Sequence, residues 1–151
     1  MDFWQEIISN ETLIAVLLAW FIAQLLKVLG AFRDGFSRKD LRKFVDTGGF
    51  PSSHSATVAA LATSCGIISG FDSQYFAIAF ALAVIVIYDA FTLRREAGRQ
   101  AAALNKVLND LYNNKGIQFD NLKELIGHTR IEAFFGLVIG ILVAVFLHNI
   151  Y

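Results

Sequence analysis

Proline is nearly missing from this chain of 151 residues, with Pro51 its sole copy, and cysteine occurs once, as Cys65. A lone thiol cannot form a disulfide within the chain, so no cross-linked scaffold is expected. Cys65 lies in the apolar run Ala59–Ile68 and reads as a small buried hydrophobe. Net charge is absent as well, because 13 Lys and Arg balance 13 Asp and Glu. That balance argues against a broadly basic nucleic-acid surface, so no nucleic-acid partner is expected. There is no HExxH or CxxC spacing, and nothing requires a Mg²⁺ at Asp46 or Asp89. Neither a metal nor another cofactor is therefore expected. The first apolar run follows acidic residues, and no small-residue cleavage site follows it, so no signal peptide is expected.

What is abundant is apolar sequence. Hydrophobic residues make up 56% of the chain, and the mean hydropathy is +0.53. A membrane helix needs about 20 mostly apolar residues. Four stretches approach that length: Thr12–Ala31, His54–Phe71, Tyr75–Leu93 and Ile131–Ile150. The expected fold is all-α, a polytopic membrane helix bundle of about four transmembrane helices forming one domain over residues 1–151. The second stretch is rich in Ser, Ala and Gly, which permits close helix contact, and Gly136 and Gly140 form a small-xxx-small pair in the fourth.

Charge placement predicts orientation. Every Lys and Arg falls within Lys27–Lys43 or Arg94–Arg130. By the positive-inside rule these segments are cytoplasmic and both termini lie outside, in a multi-pass protein of the cell membrane. Short cytoplasmic amphipathic helices are expected at Ser37–Val45 and about Asn121–Ile126. A longer one is expected at Glu96–Tyr112, where Ala101, Leu104, Val107, Leu108 and Leu111 recur at three- and four-residue spacing.

This topology gathers polar residues at the inner surface. Lys27 ends the first span, Gly48-Gly49-Phe50-Pro51-Ser52-Ser53-His54 begins the second, Asp89, Arg94 and Arg95 end the third, and His128-Thr129-Arg130-Ile131-Glu132 begins the fourth. Gly48 and Gly49 permit unusual backbone angles and close approach to a ligand. Ser52 and Ser53 are good helix N-caps, and the free amides and dipole of a helix start favour an anion such as phosphate. An ordinary Gly-Pro-Ser helix start with an interfacial histidine explains the same residues. Lys27, Arg94 and Arg95 also suit snorkelling or topology-setting roles. Asp89 is harder to dismiss, because an intramembrane carboxylate needs a partner. Glu132, four residues after His128, can orient its imidazole if the helix already includes His128. Alternatively, Thr129-x-x-Glu132 is a capping box in which Glu132 bonds the Thr129 backbone. The two roles are compatible. His148 falls at the opposite face and is expected to take no part.

The run Thr47-Gly48-Gly49-Phe50-Pro51-Ser52-Ser53-His54-Ser55-Ala56 resembles the signature of a divergent branch of the type-2 phosphatidic acid phosphatase superfamily, which also contains the vanadium haloperoxidases. The blocks Asp89–Gln100 with Leu104-Asn105, and Leu122–Thr129, resemble the same branch. The resemblance implies a metal-independent phosphatase acting through a phosphohistidine. His128 would be the nucleophile, Glu132 its orienting carboxylate and His54 the acid for the leaving group. Lys27, Ser52, Ser53, Arg94 and Arg95 would hold phosphate, with Asp89 and Gly49 in support. Ser53 stands where the superfamily has Gly, and Glu132 where it has Asp. The Ser-Arg pair before the nucleophile and the Lys…Arg-Pro motif are missing.

The expected function is hydrolysis of a lipid or prenyl phosphate or pyrophosphate at the cytoplasmic leaflet. The expected partners are membrane lipids and that phosphorylated substrate, and a homodimer suits so small a bundle. A non-catalytic protein that binds or carries anionic lipid head groups is the alternative, supported by the missing motif pieces. A small transporter or structural bundle is a third.

Overall fold

The computed structural model describes residues 2–32, 49–112 and 129–151. Among them the regular structure is helical: α1 (Phe3–Ile8), α2 (Glu11–Phe32), α3 (Ser53–Ser69), α4 (Gln74–Phe91), α5 (Leu93–Tyr112) and α6 (Arg130–His148). The four expected apolar stretches become α2, α3, α4 and α6, with ends within two residues of those read from the sequence. The sequence reading had no counterpart of α1. The amphipathic helices expected at Ser37–Val45 and Asn121–Ile126 lie outside the described residues.

Local chemistry sets the helix ends. The Ser52 side chain caps α3 by accepting from the Ser55 amide at 3.2 Å. Ser73 caps α4 in the same way through Phe76. Gly70, at φ +92°, ends α3 in a conformation that a side chain would strain. Thr129 and Glu132 form a reciprocal capping box at the start of α6.

The central helix is α3, which packs against α2, α4 and α6. On α2, Ala15, Ala19 and Ala23 recur every four residues, so they form one buried ridge. They meet Ala56 and Ala60 of α3 and Val143 and Ala144 of α6 in the core. Small side chains let these helices approach closely, and dispersion over many short contacts holds them. The approach is closest between α3 and α6. A Cβ on Gly136 would collide with the Ser52 carbonyl oxygen, and one on Gly140 with the Ala56 carbonyl oxygen. The small-xxx-small pair is therefore the α3–α6 packing face.

Among the described residues two helices, Glu11–Gly30 and Arg130–His148, are long and apolar enough to cross a membrane, and Gln74–Ala90 is a shorter apolar helix. Cys65, expected to be buried, is half-buried, because it sits off the α3 stripe of Ser55, Ala59, Ala62 and Gly66 that packs inward. On α5, Leu104 and Val107 remain exposed while Ala101 and Asn105 are buried.

The α3–α6 seam makes a prediction. Gly140→Val, forcing the helices apart, should destabilise the protein by about 1–3 kcal/mol, the usual range for overpacking. It should lower the thermal midpoint of purified protein, whereas Gly30→Val, with open space around the new Cβ, serves as the control. Equal midpoints for the two variants would remove the seam from the account.

Candidate functional site

Lys27 continues the ridge of Ala15, Ala19 and Ala23 by one more four-residue step, so helical geometry turns it inward with them. It is only 7% exposed. Its ammonium donates to the Ser53 hydroxyl at 3.0 Å, across 26 residues of sequence. The lysine is thus an interior residue at this end of the bundle, which argues against the snorkelling role.

Ser53 is the first residue of α3, directly after its cap. The neighbouring serines are bonded to each other. The Ser55 hydroxyl donates to the Ser52 hydroxyl at 3.1 Å, and Ser52 and Ser55 are both buried. Four residues on, the Thr57 hydroxyl returns to the Ser53 carbonyl at 2.7 Å. The Ser52 amide donates to the Glu132 carbonyl oxygen at 2.9 Å, which ties the head of α3 to the first turn of α6. Gly49 comes just before, at φ +91°, and a Cβ there would lie 3.9 Å from the Lys27 side chain. Glycine is favoured at that position by its backbone angle, while a Cβ would make only ordinary contact with the lysine.

Glu132 contributes in two ways. Its carboxylate accepts from the Thr129 amide at 3.1 Å in the capping box. It also acts electrostatically on Lys27. The capping-box reading of Thr129-x-x-Glu132 therefore holds, and a cation and an anion share this end of the bundle. The helical pairing of His128 with Glu132 needed a helix that includes His128, whereas α6 begins at Arg130 with Thr129 as its cap. His128 itself lies outside the described residues.

The remaining candidates divide similarly. His54 is half-buried in the first turn of α3, next to Ser53. Asp89 is half-buried in the last turn of α4, at the same end. Arg94 and Arg95 belong to the first turn of α5, and their side chains lie outside the described residues. Lys27 of α2, Ser52 and Ser53 at the start of α3 and Glu132 of α6 are thus brought together, with Gly49 just before the cap and His54 in the first turn of α3. At the other end His148 meets Glu11 at 2.9 Å, and Ser64 meets Thr12 at 3.1 Å, so His148 is remote from this cluster. Ser55 was not singled out from the sequence. The repeated serines around His54 were the available signal.

Such an arrangement can bind an anion. The first-turn amides of a helix lack intrahelical partners, their dipole favours negative charge, and a buried ammonium stands beside them. Residues 8–143 match the model of the Divergent PAP2 family, and the chain belongs to that family. It is similar to the "Uncharacterized membrane protein YuiD" of Bacillus subtilis (strain 168). The two are 41% identical over 154 residues, which covers 94% of this chain and 96% of the relative. No solved structure matches the chain. The resemblance carried by the Gly-Gly-Phe-Pro-Ser-Ser-His run is borne out at the level of family.

The Lys27–Ser53 bond predicts an asymmetry. Ser53→Ala strands a buried ammonium and should cost about 1–3 kcal/mol, whereas Lys27→Met removes the charge itself and should cost less. In a denaturant or thermal series, Lys27→Met combined with Ser53→Ala should recover stability relative to Ser53→Ala alone. A double variant no more stable than Ser53→Ala would mean that the bond carries no weight.

Proposed function

We propose that this protein is a membrane-embedded lipid phosphate phosphatase whose head-group site lies where α2, α3 and α6 meet. The observation that carries the proposal is the buried Lys27 ammonium bonded to Ser53 at the start of α3. Burying a lysine is costly, and charged residues inside a bundle mark functional sites. Phosphate would displace the Ser53 hydroxyl from Lys27 or bridge the two, and accept from the first-turn amides of α3. Arg94 and Arg95 would add charge from α5. Ser52 would hold the helix head, and Asp89 and Gly49 would shape the surroundings.

In the catalytic reading His128 attacks phosphorus, and the phosphoryl–oxygen bond to the lipid breaks as His54 protonates the leaving oxygen. Water then hydrolyses the phosphohistidine. Glu132 orients His128 and balances its charge. The substrate is a lipid or prenyl phosphate or pyrophosphate. The second reading is a non-catalytic protein that binds or carries an anionic lipid head group. The observation favouring it is that Glu132 is engaged in the α6 capping box. It keeps the Lys27–Ser53 pocket and omits turnover.

Four passes are proposed, by α2, α3, α4 and α6. The serine-rich α3 needs less apolar character than the others because α2, α4 and α6 surround it. Both termini would then lie outside and the head-group site at the cytoplasmic leaflet, as the confinement of Lys and Arg to two segments suggests.

Two measurements test these statements. Purified protein should release phosphate from a panel of lipid and prenyl phosphates, and His128→Ala and His54→Ala should each be slower by about 10²-fold or more. Equal rates for all three proteins would end the catalytic assignment, and vanadate binding without release would favour the carrier. For topology, in a Cys65→Ser background, Ser73→Cys should react with a membrane-impermeant maleimide on intact cells. Lys39→Cys should react only after lysis. The reverse pattern would move the site to the outer leaflet.

A further inference from the structure

The helix α1 needs support from outside itself. An isolated helix shorter than about 12 residues is marginal in water, and α1 has 6 residues and buries none of them. Its first turn is closed by the Asp2 carbonyl, which accepts from the Gln5 and Glu6 amides, and by the Gln5 side chain, which accepts from the Asp2 amide at 3.2 Å. Helical geometry sets Phe3, Trp4, Ile7 and Ile8 on one arc of about 140°, with Asp2, Gln5, Glu6 and Ser9 on the rest. The bundle does not cover this apolar face. Ile7 is half-buried, whereas Phe3, Trp4 and Ile8 are 63, 65 and 69% exposed. The rings of Phe3 and Trp4 meet edge-on at 5.3 Å, so the exposed surface is continuous.

The position of α1 selects what covers it. Only Ser9 and Asn10 separate it from α2, which is long and apolar enough to cross a membrane. The start of α1–α2 is also tied to the end of α6. The Tyr151 hydroxyl donates to the Ile8 carbonyl oxygen at 3.0 Å, and His148 meets Glu11 at 2.9 Å. Ser64 bonds Thr12, which brings the α3–α4 turn to the same end. That turn adds exposed Tyr75 and exposed Phe71, whose ring lies over Gly66. Aromatic residues gather in this way at membrane–water boundaries. A second protein copy is a poorer fit, because four side chains fall far short of the roughly 20–30 residues a side of a stable interface. Asp2, Glu6, Glu11 and Asp72 stand at this end, while every Lys and Arg falls within Lys27–Lys43 or Arg94–Arg130. The surface therefore suits zwitterionic lipid rather than anionic lipid.

Resting on the proposed pass of α2, we infer that α1 is an interfacial anchor, lying along the bilayer surface at the end remote from Lys27. Phe3, Trp4 and Ile8 sink below the lipid head groups, and Gln5 and Glu6 face water. The anchor also sets the height of α2. From Glu11 to Lys27 a helix rises about 24 Å, against ~30 Å of hydrocarbon core. With α1 at one boundary, Lys27 comes to lie just inside the other.

The test uses full-length protein in phosphatidylcholine nanodiscs whose lipid carries bromine either high on its chains or near their ends. The chain has two tryptophans, so Trp20→Phe isolates Trp4 and Trp4→Phe isolates Trp20. Trp4 fluorescence should be quenched severalfold more by bromine high on the chains. Trp20, midway along α2, should be quenched more by bromine near the chain ends. Phe3→Ser combined with Ile8→Ser, in the Trp20→Phe background, should lower Trp4 quenching severalfold and shift its emission to the red. Adding phosphatidylglycerol should leave Trp4 quenching unchanged, and a severalfold rise would overturn the preference for zwitterionic lipid. Trp4 emission typical of indole in water and indifferent to both lipids would overturn the anchor. So would a Trp4→Cys variant, in a Cys65→Ser background, that forms a disulfide to a second copy in the bilayer. Trp20 separates the two levels. Deep quenching at Trp20 without quenching at Trp4 would leave the pass of α2 and remove the anchor, whereas failure at Trp20 would remove the pass and the anchor with it.

Discussion

The contact on which the candidate site depends is the close backbone approach of α3 and α6. Gly136 and Gly140 offer no Cβ, so the carbonyls of Ser52 and Ala56 can lie against the surface of α6. The Ser52 amide then reaches the Glu132 carbonyl oxygen, and the starts of two helices distant in sequence become neighbours. Side chains at the two glycines would separate the helices and break that bond. The dispersion gained from such contact is individually small and collectively large. In lipid, where tails are as apolar as the helices, packing of this kind is a main source of association.

Held in that position, the head of α3 faces an inward lysine. An ammonium is hard to bury, and an isolated one would lose its proton before paying the desolvation cost. Here the Ser53 hydroxyl accepts from it and the Glu132 carboxylate lies within electrostatic reach. A buried charge so arranged is weak evidence for stability, because an apolar residue of similar shape often serves as well. The proposed phosphate ligand would suit the combination of ammonium, hydroxyl and first-turn amides.

The helix carrying these groups is also the least apolar of the long helices in the core. Serines, alanines and glycine fill α3, and three helices cover it. Its composition follows from its place: small residues allow the neighbours to close in, and hydroxyls are tolerated where they bond one another, as Ser52 and Ser55 do. Among the described residues α4 packs on α3 and α5 rather than on α6, and an apolar groove lined in part by Phe71 and Phe76 lies between α3, α4 and α6.

Much of this was legible along the chain. Apolar runs, helix caps and the glycine pair depend on local periodicity and local hydrogen bonding, so the helix positions, a serine cap at Ser52 or Ser53 and a packing face at Gly136 and Gly140 could be read in advance, whereas the partner of that face, α3, could not. The family could be read from the Gly-Gly-Phe-Pro-Ser-Ser-His run. Other features depend on which elements meet. Lys27 was equally compatible with snorkelling outward, and only the docking of α2 on α3 turned it toward Ser53. Glu132 had two readings, and the start of α6 at Arg130 gave the capping box its geometry. Neither the exposure of Cys65 nor the fold of Phe71 over Gly66 follows from composition, because both depend on the rotation of α3 among its neighbours. Sequence by itself determined the helices and the chemistry each one carries. Tertiary packing decided which of those groups face each other, because helical periodicity defines the faces of a helix but not the neighbour each face will meet.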